Sequence, residues 1–529
     1  MTTRAMTDLN RYNELHGITV PELLRRRARQ HPFKLALSAR SFRGHRDRLS
    51  FAQLVIRMDA VARGLLARAV GKGERVALFL SNDAIRECVL TALGCYRMGA
   101  IVAPLNIRAS DEELGHALAL IEPSVVVTLQ AYAGRVATLF PAARLMLLDG
   151  EEGADATWPE PEREFHRGAL PDDVGPEDPS VLLLTSGTTA RSKAVVHCHR
   201  SQLFTGHAIG GALGLTDQDT YQGAWPIYTS SVLNLACMGA WVSGAGVVLE
   251  ELLDNGSRLR LIESEGTTVY HGVTAPLKFM MDEFARSPGA YDLSRLRRLG
   301  YGGATMPAEV IHRFSTLLPQ VDQIHIWAMT ETGPAGTYLP PWFLPRKAGC
   351  IGQPQPGCAV RVVDPSGRAV PAGQTGEIVF AGRSAALGYW RNPEATAQTF
   401  VDGWVHTGDV GMIDDEGHLH FVDRLKDIIN RGGLKISSAA VEDVIYRYPG
   451  ISEAAVIAVP HDGLGEDLAA CVVAAPGVTL DTQQLRAFCA EYLADYETPR
   501  RWHVLQELPK SPMGKILKRE LREQMLTAG

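Results

Sequence analysis

From residue 180 onward, short apolar runs repeatedly end in turns rich in glycine and hydroxyls, and helically spaced segments are expected after them. The runs SVLLL, TTVY, LRRLGY and QIHIW stand directly before TSGTT, HGVTAPLKFMMDEF, GGATMPAEVIHRF and AMTETG. Apolar runs of this length are strand signals, and their alternation with helical spacing predicts βα units in an α/β sheet. Ligands of such sheets bind at the carboxyl ends of the strands, so the site is expected in these loops. Residues 1–175 alternate in the same way without a chemical motif and read as scaffold. Between 357 and 423 the texture changes to short β runs and tight turns, with a hairpin expected around DDEG in VGMIDDEGHLHFVD. From 425 a smaller α+β unit is expected, with helices in SSAAVEDVIYRY and TQQLRAFCAEYL, strands in EAAVIAV and LAACVVA, and a charged tail KILKRELREQM. The predicted organisation is an N-terminal domain over 1–424, with its β-rich subdomain at about 357–423, and a C-terminal domain over 425–529.

Composition narrows the class. The 529 residues are 46% hydrophobic and 21% charged, the balance of an ordinary folded chain with room for several cores. Against 53 Lys and Arg stand 59 Asp and Glu, a formal charge of -6 without a basic block, which argues against a nucleic-acid partner. The stretch 220–249 is long and nearly uncharged, but Gln222, Pro226, Asn234 and several glycines mark it as buried core, so no membrane partner is expected. Eight cysteines without a CxxC pair, and an N-terminus MTTRAMTDLN without an apolar core, fit a cytoplasmic setting.

The segment TSGTTARSK, 185–193, sets hydroxyls, a glycine and a lysine directly behind an apolar strand. Backbone amides can approach phosphate oxygens there, hydroxyls add donors and lysine adds a point charge. That is the inventory of a polyphosphate cradle, though without the GxxxxGK[ST] spacing of a P-loop. WAMTETG, 327–333, offers an aromatic for a purine face, a threonine for a phosphate oxygen and a glutamate for Mg2+. VHTGD, 405–409, offers an aspartate for ribose hydroxyls, and PKSPMGK, 509–515, ends a stiffened turn on a lone lysine. Taken singly, these are equally a polar loop, a core tryptophan, a helix cap, a turn aspartate and a solvated basic terminus.

Together and in this order, these segments resemble those of the adenylate-forming superfamily, which includes acyl-CoA synthetases, adenylation domains of peptide synthetases and firefly luciferase. The resemblance covers residues 20–521. It implies an α/β fold with a large N-terminal domain and a small mobile α+β C-terminal lid. It also implies two half reactions: a carboxylate attacks the α-phosphate of ATP to give acyl-AMP and pyrophosphate, then a thiol, usually of CoA, displaces AMP. By this resemblance Thr185, Ser186, Gly187, Thr188, Thr189 and Lys193 match the pyrophosphate loop, while Gly302, Gly303 and Ala304 match the segment lining adenine and the acyl group. Trp327 matches the ring stacked on adenine, and Thr330 and Glu331 match the contacts to the α-phosphate and Mg2+. Asp409 and Arg424 match the ribose contacts, Lys426 the hinge, and Gly432, Gly433 and Leu434 the loop beside the pantetheine tunnel. Lys515 matches the lysine that bridges substrate carboxylate, α-phosphate and ribose.

The chain departs from the family pattern in two places. The usual phosphate loop reads TSGTTGxPKG, and here Ala190, Ser192 and Ala194 replace glycine, proline and glycine. Hydroxyls and lysine remain, so phosphate binding is expected, with a more restricted backbone near the γ-phosphate. In WPIYTSS, Thr229 stands where many acyl-CoA synthetases carry an aromatic or histidine, which leaves more room and predicts a bulky acid. Residues 224–234 hold no acid to pair with an α-ammonium, which argues against an amino-acid substrate. Tyr228, Thr229, His271, Val273, Gly302, Gly303 and Met329 are the expected substrate lining. His197, Cys198 and His199 look like a metal cluster, but on a strand the histidines would share one face and the cysteine the other, so zinc is not expected. The reading is an ATP- and Mg2+-dependent ligase that joins CoA to a hydrophobic carboxylic acid, with bulky polycyclic and aromatic acids among the candidates. Loading of a carrier-protein phosphopantetheine and a catalytically weak nucleotide-binding protein are the rival readings, and the chain is compatible with a homodimer.

Overall fold

A computed structural model describes residues 10–142, 144–150, 157–159, 168–185, 192–303, 306, 308–344, 346–347, 349–510 and 516–527. By contacts the chain divides into a larger unit, Met1–Val360 with Phe380–Val405, and a smaller one, Arg361–Val379 with His406–Gly529. The division passes through 360–406 rather than falling at 424, because the strands Thr375–Gly382 and Trp404–Ile413 each carry residues of both units. The sequence boundary at 424/425 marks an expected hinge and remains a proposal.

One sheet of the larger unit carries the strands Cys350–Pro354, Gly336–Leu339, Asp322–Ala328, Arg298–Gly302, Val269–Val273, Thr220–Ala224, Gly246–Leu249, Leu35–Arg40 and Arg46–Ser50 in that spatial order. From Asp322–Ala328 to Leu35–Arg40 all neighbours are parallel. A second sheet runs Gly388–Tyr389, Lys193–Cys198, Pro179–Thr185, Ile101–Pro104, Arg75–Leu78, Val125–Thr128 and Arg144–Leu147. Two of the expected βα units form as the pattern predicts. Val269–Val273 leads into the helix Thr274–Arg286, and Arg298–Gly302 precedes the helix Ala308–Leu317. These helices lay Leu277, Met280, Met281, Phe284, Ile311 and Phe314 against Leu299 and Tyr301 in a core closed to water. Burial of such side chains contributes about 1.5–3 kcal/mol each.

The other two units differ from expectation. After SVLLL the chain returns as an antiparallel strand, pairing Leu182 with Val196 and Leu183 with Val195, because KAVVHC is apolar and partly β-branched. After QIHIW, AMTETG makes one 3-10 turn, Thr330–Thr332, and then the antiparallel strand Gly336–Leu339. Gly333, at φ 77°, ends the turn, and Pro334, lacking an N–H, cannot extend it. The HCH segment also departs from a single strand: the strand ends at Cys198, and His199 opens the helix His199–Leu213. Stretch 220–249 lies largely buried, as a strand, the π-helical turn Ser231–Cys237, the helix Met238–Ser243 and a second strand. Among the described residues, no helix is long and apolar enough to cross a membrane.

In the smaller unit, Gly465–Ala474 pairs with Ile451–His461, Ile428–Arg431 and Arg501–Leu505. Ala454, Val456 and Ala458 face a core shared with the helices Ser438–Tyr446 and Thr482–Tyr492, whereas Ala455, Ile457 and Val459 share a second core with Leu521 of the helix Lys518–Thr527. Cover on both faces explains why EAAVIAV is apolar at consecutive positions. The expected DDEG hairpin is present, with Ile413 opposite Leu419 and Gly417 at φ 80° in its turn.

Candidate active site

Register brings three of the expected loops of the larger unit, together with the segment after Ala224, to one edge. Gly272 lies opposite Ala224, Val273 opposite Gly302, and Gly302 opposite Ile326, so segments 224–230, 273–274, 302–303 and 327–331 leave the sheet side by side. Gly302 is required at this edge, since a Cβ there would collide with the Ile326 carbonyl oxygen. Gly303 turns away at φ 81°. Trp327 is half-buried opposite Thr337.

The turn that follows is clamped from several sides. His197 Nε2 lies 2.9 Å from the Thr330 carbonyl, and burial pulls the His197 pKa down to about 4. A neutral ring facing a carbonyl must donate, so Nε2 carries the proton. Ser230 Oγ is 3.4 Å from Thr330 Oγ1, Ser384 Oγ donates to the Thr332 carbonyl at 2.8 Å, and Ala386 N donates to the Glu331 carbonyl at 3.0 Å. Glu331 is 8% exposed, and its Oε1 accepts a hydrogen bond from the Tyr389 hydroxyl at 2.9 Å. Its Oε2 takes no hydrogen bond among the described residues. A carboxylate oxygen without a hydrogen bond among the described residues, on the residue that follows Thr330, fits Mg2+, which usually takes one or two protein carboxylates and completes its shell with phosphate and water. Lys193 Nζ stands over the Tyr389 ring, 4.7 Å from its centre, and Thr185 lies opposite Lys193 in register. Ala194 pairs with Leu184 as an ordinary buried strand residue, so the strand accommodates the loss of glycine there.

Below the edge lies an aromatic group. His271 is 3% exposed; its Nδ1 is 2.9 Å from the Tyr221 hydroxyl, and its ring meets Trp225 edge-on at 4.8 Å. Burial pulls its pKa down to about 3, so the ring is neutral. Gly223 and Gly300 flank it in register, and Trp225 folds into the space a Cβ at Gly223 would fill. Asn82 fixes the loop above by bonding Trp225 O at 2.8 Å and Ile227 N at 3.0 Å. The Thr229 hydroxyl donates to the Pro226 carbonyl at 2.8 Å, Tyr228 is half-buried with its pKa raised by burial, and Met329 precedes the Thr330 turn.

Asp409, Arg424, Lys426, Gly432, Gly433 and Leu434 belong to the smaller unit. Asp409 and Arg424 are register partners and an ion pair at 2.8 Å, so each orients the other. Lys426 lies exposed in the turn between Leu419–Arg424 and Ile428–Arg431. Gly432 and Gly433, at φ 60° and 91°, form the two-residue turn joining Arg431 to Leu434, a geometry that demands left-handed backbone. Ser186, Gly187, Thr188, Thr189, Ala190, Ala304 and Lys515 lie outside the described residues. Sequence reasoning missed Tyr389, Asn82 and the clamping role of His197, whose partners are remote in the chain.

The chain matches the family model of the AMP-binding enzymes over residues 24–390, and that of the AMP-binding enzyme C-terminal domain over 440–515. The chain belongs to this family. It is 36% identical to a feruloyl-CoA synthase of Amycolatopsis sp, over 94% of this chain and 97% of that protein. It is 32% identical to a methyl-dioxo-octahydroindenyl-propanoyl:CoA ligase of Rhodococcus jostii strain RHA1, over 96% and 98% of the two chains. The solved structure of o-succinylbenzoate CoA synthetase from Bacillus subtilis, in complex with its acyl-adenylate intermediate, superposes with a TM-score of 0.84 at 26% identity, covering 96% of this chain and 98% of that one. This AMP-binding enzyme is an AMP-forming acyl-CoA synthetase with a mixed α/β fold, a large N-terminal and a smaller C-terminal domain, and it uses ATP and CoA.

Proposed function

We propose that this synthetase activates a hydrophobic aromatic or polycyclic carboxylic acid as its acyl adenylate and passes the acyl group to CoA. The observation that carries the choice of acid is the small Thr229, half-buried in the loop after the strand Thr220–Ala224 with its hydroxyl spent on the Pro226 carbonyl. Feruloyl and indenyl-propanoyl groups in the names of the two relatives are of this class.

Chemistry of this kind needs positioning and neutralised charge, with no nucleophilic side chain. The acid's carboxylate is itself the nucleophile: its oxygen bonds to the α-phosphorus as the bond to pyrophosphate breaks. Thr330, held by the His197 clamp, offers its hydroxyl to the α-phosphate, and Lys193 with the hydroxyls of 185–189 carries the leaving pyrophosphate. Glu331 would hold Mg2+, which when bound offsets phosphate charge. Trp327 stacks on adenine, Asp409 and Arg424 take the ribose, and Lys515 bridges carboxylate and α-phosphate. In the second half reaction the CoA sulfur bonds to the acyl carbon and AMP leaves, with Gly432, Gly433 and Leu434 beside the pantetheine.

Pyrophosphate release should be measured across aliphatic, aryl and polycyclic acids, with ATP and Mg2+, each with and without CoA. Release confined to bulky ring-bearing acids, with their CoA thioesters as products, is expected. Equal or better turnover of simple aliphatic acids would overturn the proposed class. Adenylate formation with transfer only to a carrier-protein thiol would overturn CoA as the acceptor.

A further inference from the structure

We propose that Tyr389 is a positioning residue that fixes the metal-facing carboxylate of Glu331 and the resting place of Lys193, so that the metal and pyrophosphate ends of the site are built around one phenol. The inference rests on the acyl-adenylate reading of this site. Two of the side chain's contacts bear on the site: its hydroxyl donates to Glu331 Oε1 at 2.9 Å, and Lys193 Nζ stands 4.7 Å from the ring centre, while Phe400 packs edge-on against the ring at 5.9 Å. Direction in the first contact is set by chemistry. The phenol is the partner that carries an O–H, so its hydroxyl donates and the carboxylate accepts. The bond holds one carboxylate oxygen and leaves the other without a hydrogen bond among the described residues, which is how a metal-ligating carboxylate is usually oriented by its neighbours.

The phenol is itself held by the backbone. Gly388 and Tyr389 pair with Val196 and Val195 of the strand that begins at Lys193. Tyr389 N donates to Thr396 Oγ1 at 2.9 Å, and Ala386 N reaches the Glu331 carbonyl at 3.0 Å. Segment 386–389 therefore touches both the Lys193 strand and the Glu331 turn. A cation over an aromatic face is held weakly enough to be drawn off by a polyphosphate, so the ring can park Lys193 without competing with ATP.

Two variants separate the contacts. Tyr389→Phe removes the hydroxyl and keeps the ring, whereas Tyr389→Leu removes both. The readouts are calorimetric ATP binding as a function of Mg2+, without acid present, and the Mg2+ dependence of pyrophosphate release. Tyr389→Phe is expected to raise the Mg2+ needed for half-maximal ATP binding about tenfold, with full rescue at excess Mg2+. Tyr389→Leu should in addition weaken ATP binding at saturating Mg2+. A wild-type Mg2+ requirement in Tyr389→Phe, or a loss that excess Mg2+ does not rescue, overturns the proposal. Glu331→Gln is the control. If it leaves the Mg2+ requirement unchanged, the assignment of Glu331 to the metal fails and the role of Tyr389 fails with it, while the acyl-adenylate reading is judged separately by pyrophosphate release; if it raises the requirement while Tyr389→Phe does not, only the role of Tyr389 falls.

Discussion

Trp327, Thr330 and Glu331 are close in sequence, and the different roles proposed for them follow from different surroundings. Trp327 stays half-buried at the end of its strand, whereas Glu331 is buried and tied to Tyr389. If Trp327 is the adenine platform, Trp327→Ala should weaken ATP binding by roughly 5- to 150-fold, the range of base–aromatic stacking at ~1–3 kcal/mol. Titration calorimetry with ATP checks this, and unchanged affinity would remove the ring from the nucleotide site. Lys515→Ala should lower pyrophosphate release by at least ~100-fold while leaving thioester formation from supplied acyl-AMP largely intact. Comparable loss in both half reactions would reject its assignment. Tryptophan, threonine and glutamate were legible as candidate site residues because they share one short motif. Tyr389 was not, because a tyrosine ending a short strand looks ordinary until its partner 58 residues away is known.

Strands and turns impose their own requirements. Gly333 ends the Thr330–Thr332 turn at φ 77°, and a Cβ there would collide with the Ser384 carbonyl oxygen. Gly333→Ala should therefore cost at least ~1–3 kcal/mol and displace the Glu331 carboxylate. Loss of pyrophosphate release together with a lowered unfolding midpoint is expected, and normal values for both would show that the turn relaxes freely. Lys426→Pro, at the proposed hinge, should spare adenylation and block the thioester step, since proline restricts the φ that a domain rotation would change. Thioester formation at the wild-type rate would dismiss Lys426 as the hinge. Strand positions were legible from their apolar runs. The two return strands were not, since a turn rich in glycine and hydroxyls precedes a helix or a hairpin with equal ease, and the choice was made by pairing with Leu182, Leu183 and Trp327.

For the whole molecule, buried histidines make stability depend on pH. His197 and His199 are pulled down to about 4 and His271 to about 3, each chiefly by burial. Unfolded, these rings titrate near ~6.5, so between pH ~6.5 and ~4 the unfolded chain binds more protons than the fold. Stability is full above ~6.5 and is lost as pH falls, by up to about 1.4 kcal/mol per pH unit for each ring. Urea unfolding at pH 7, 6 and 5 should show a falling midpoint, and a constant midpoint would contradict three buried neutral rings. The strand runs, the two-part organisation and a candidate inventory of phosphate, metal and ribose chemistry were readable from the chain alone, because periodicity and short motifs are local properties. Which groups meet was decided only by the fold. His197 reaches Thr330 across 133 residues, and Tyr389 joins Glu331 to Lys193, through strand order and register, which arise from packing of distant segments and leave no local signature in the sequence.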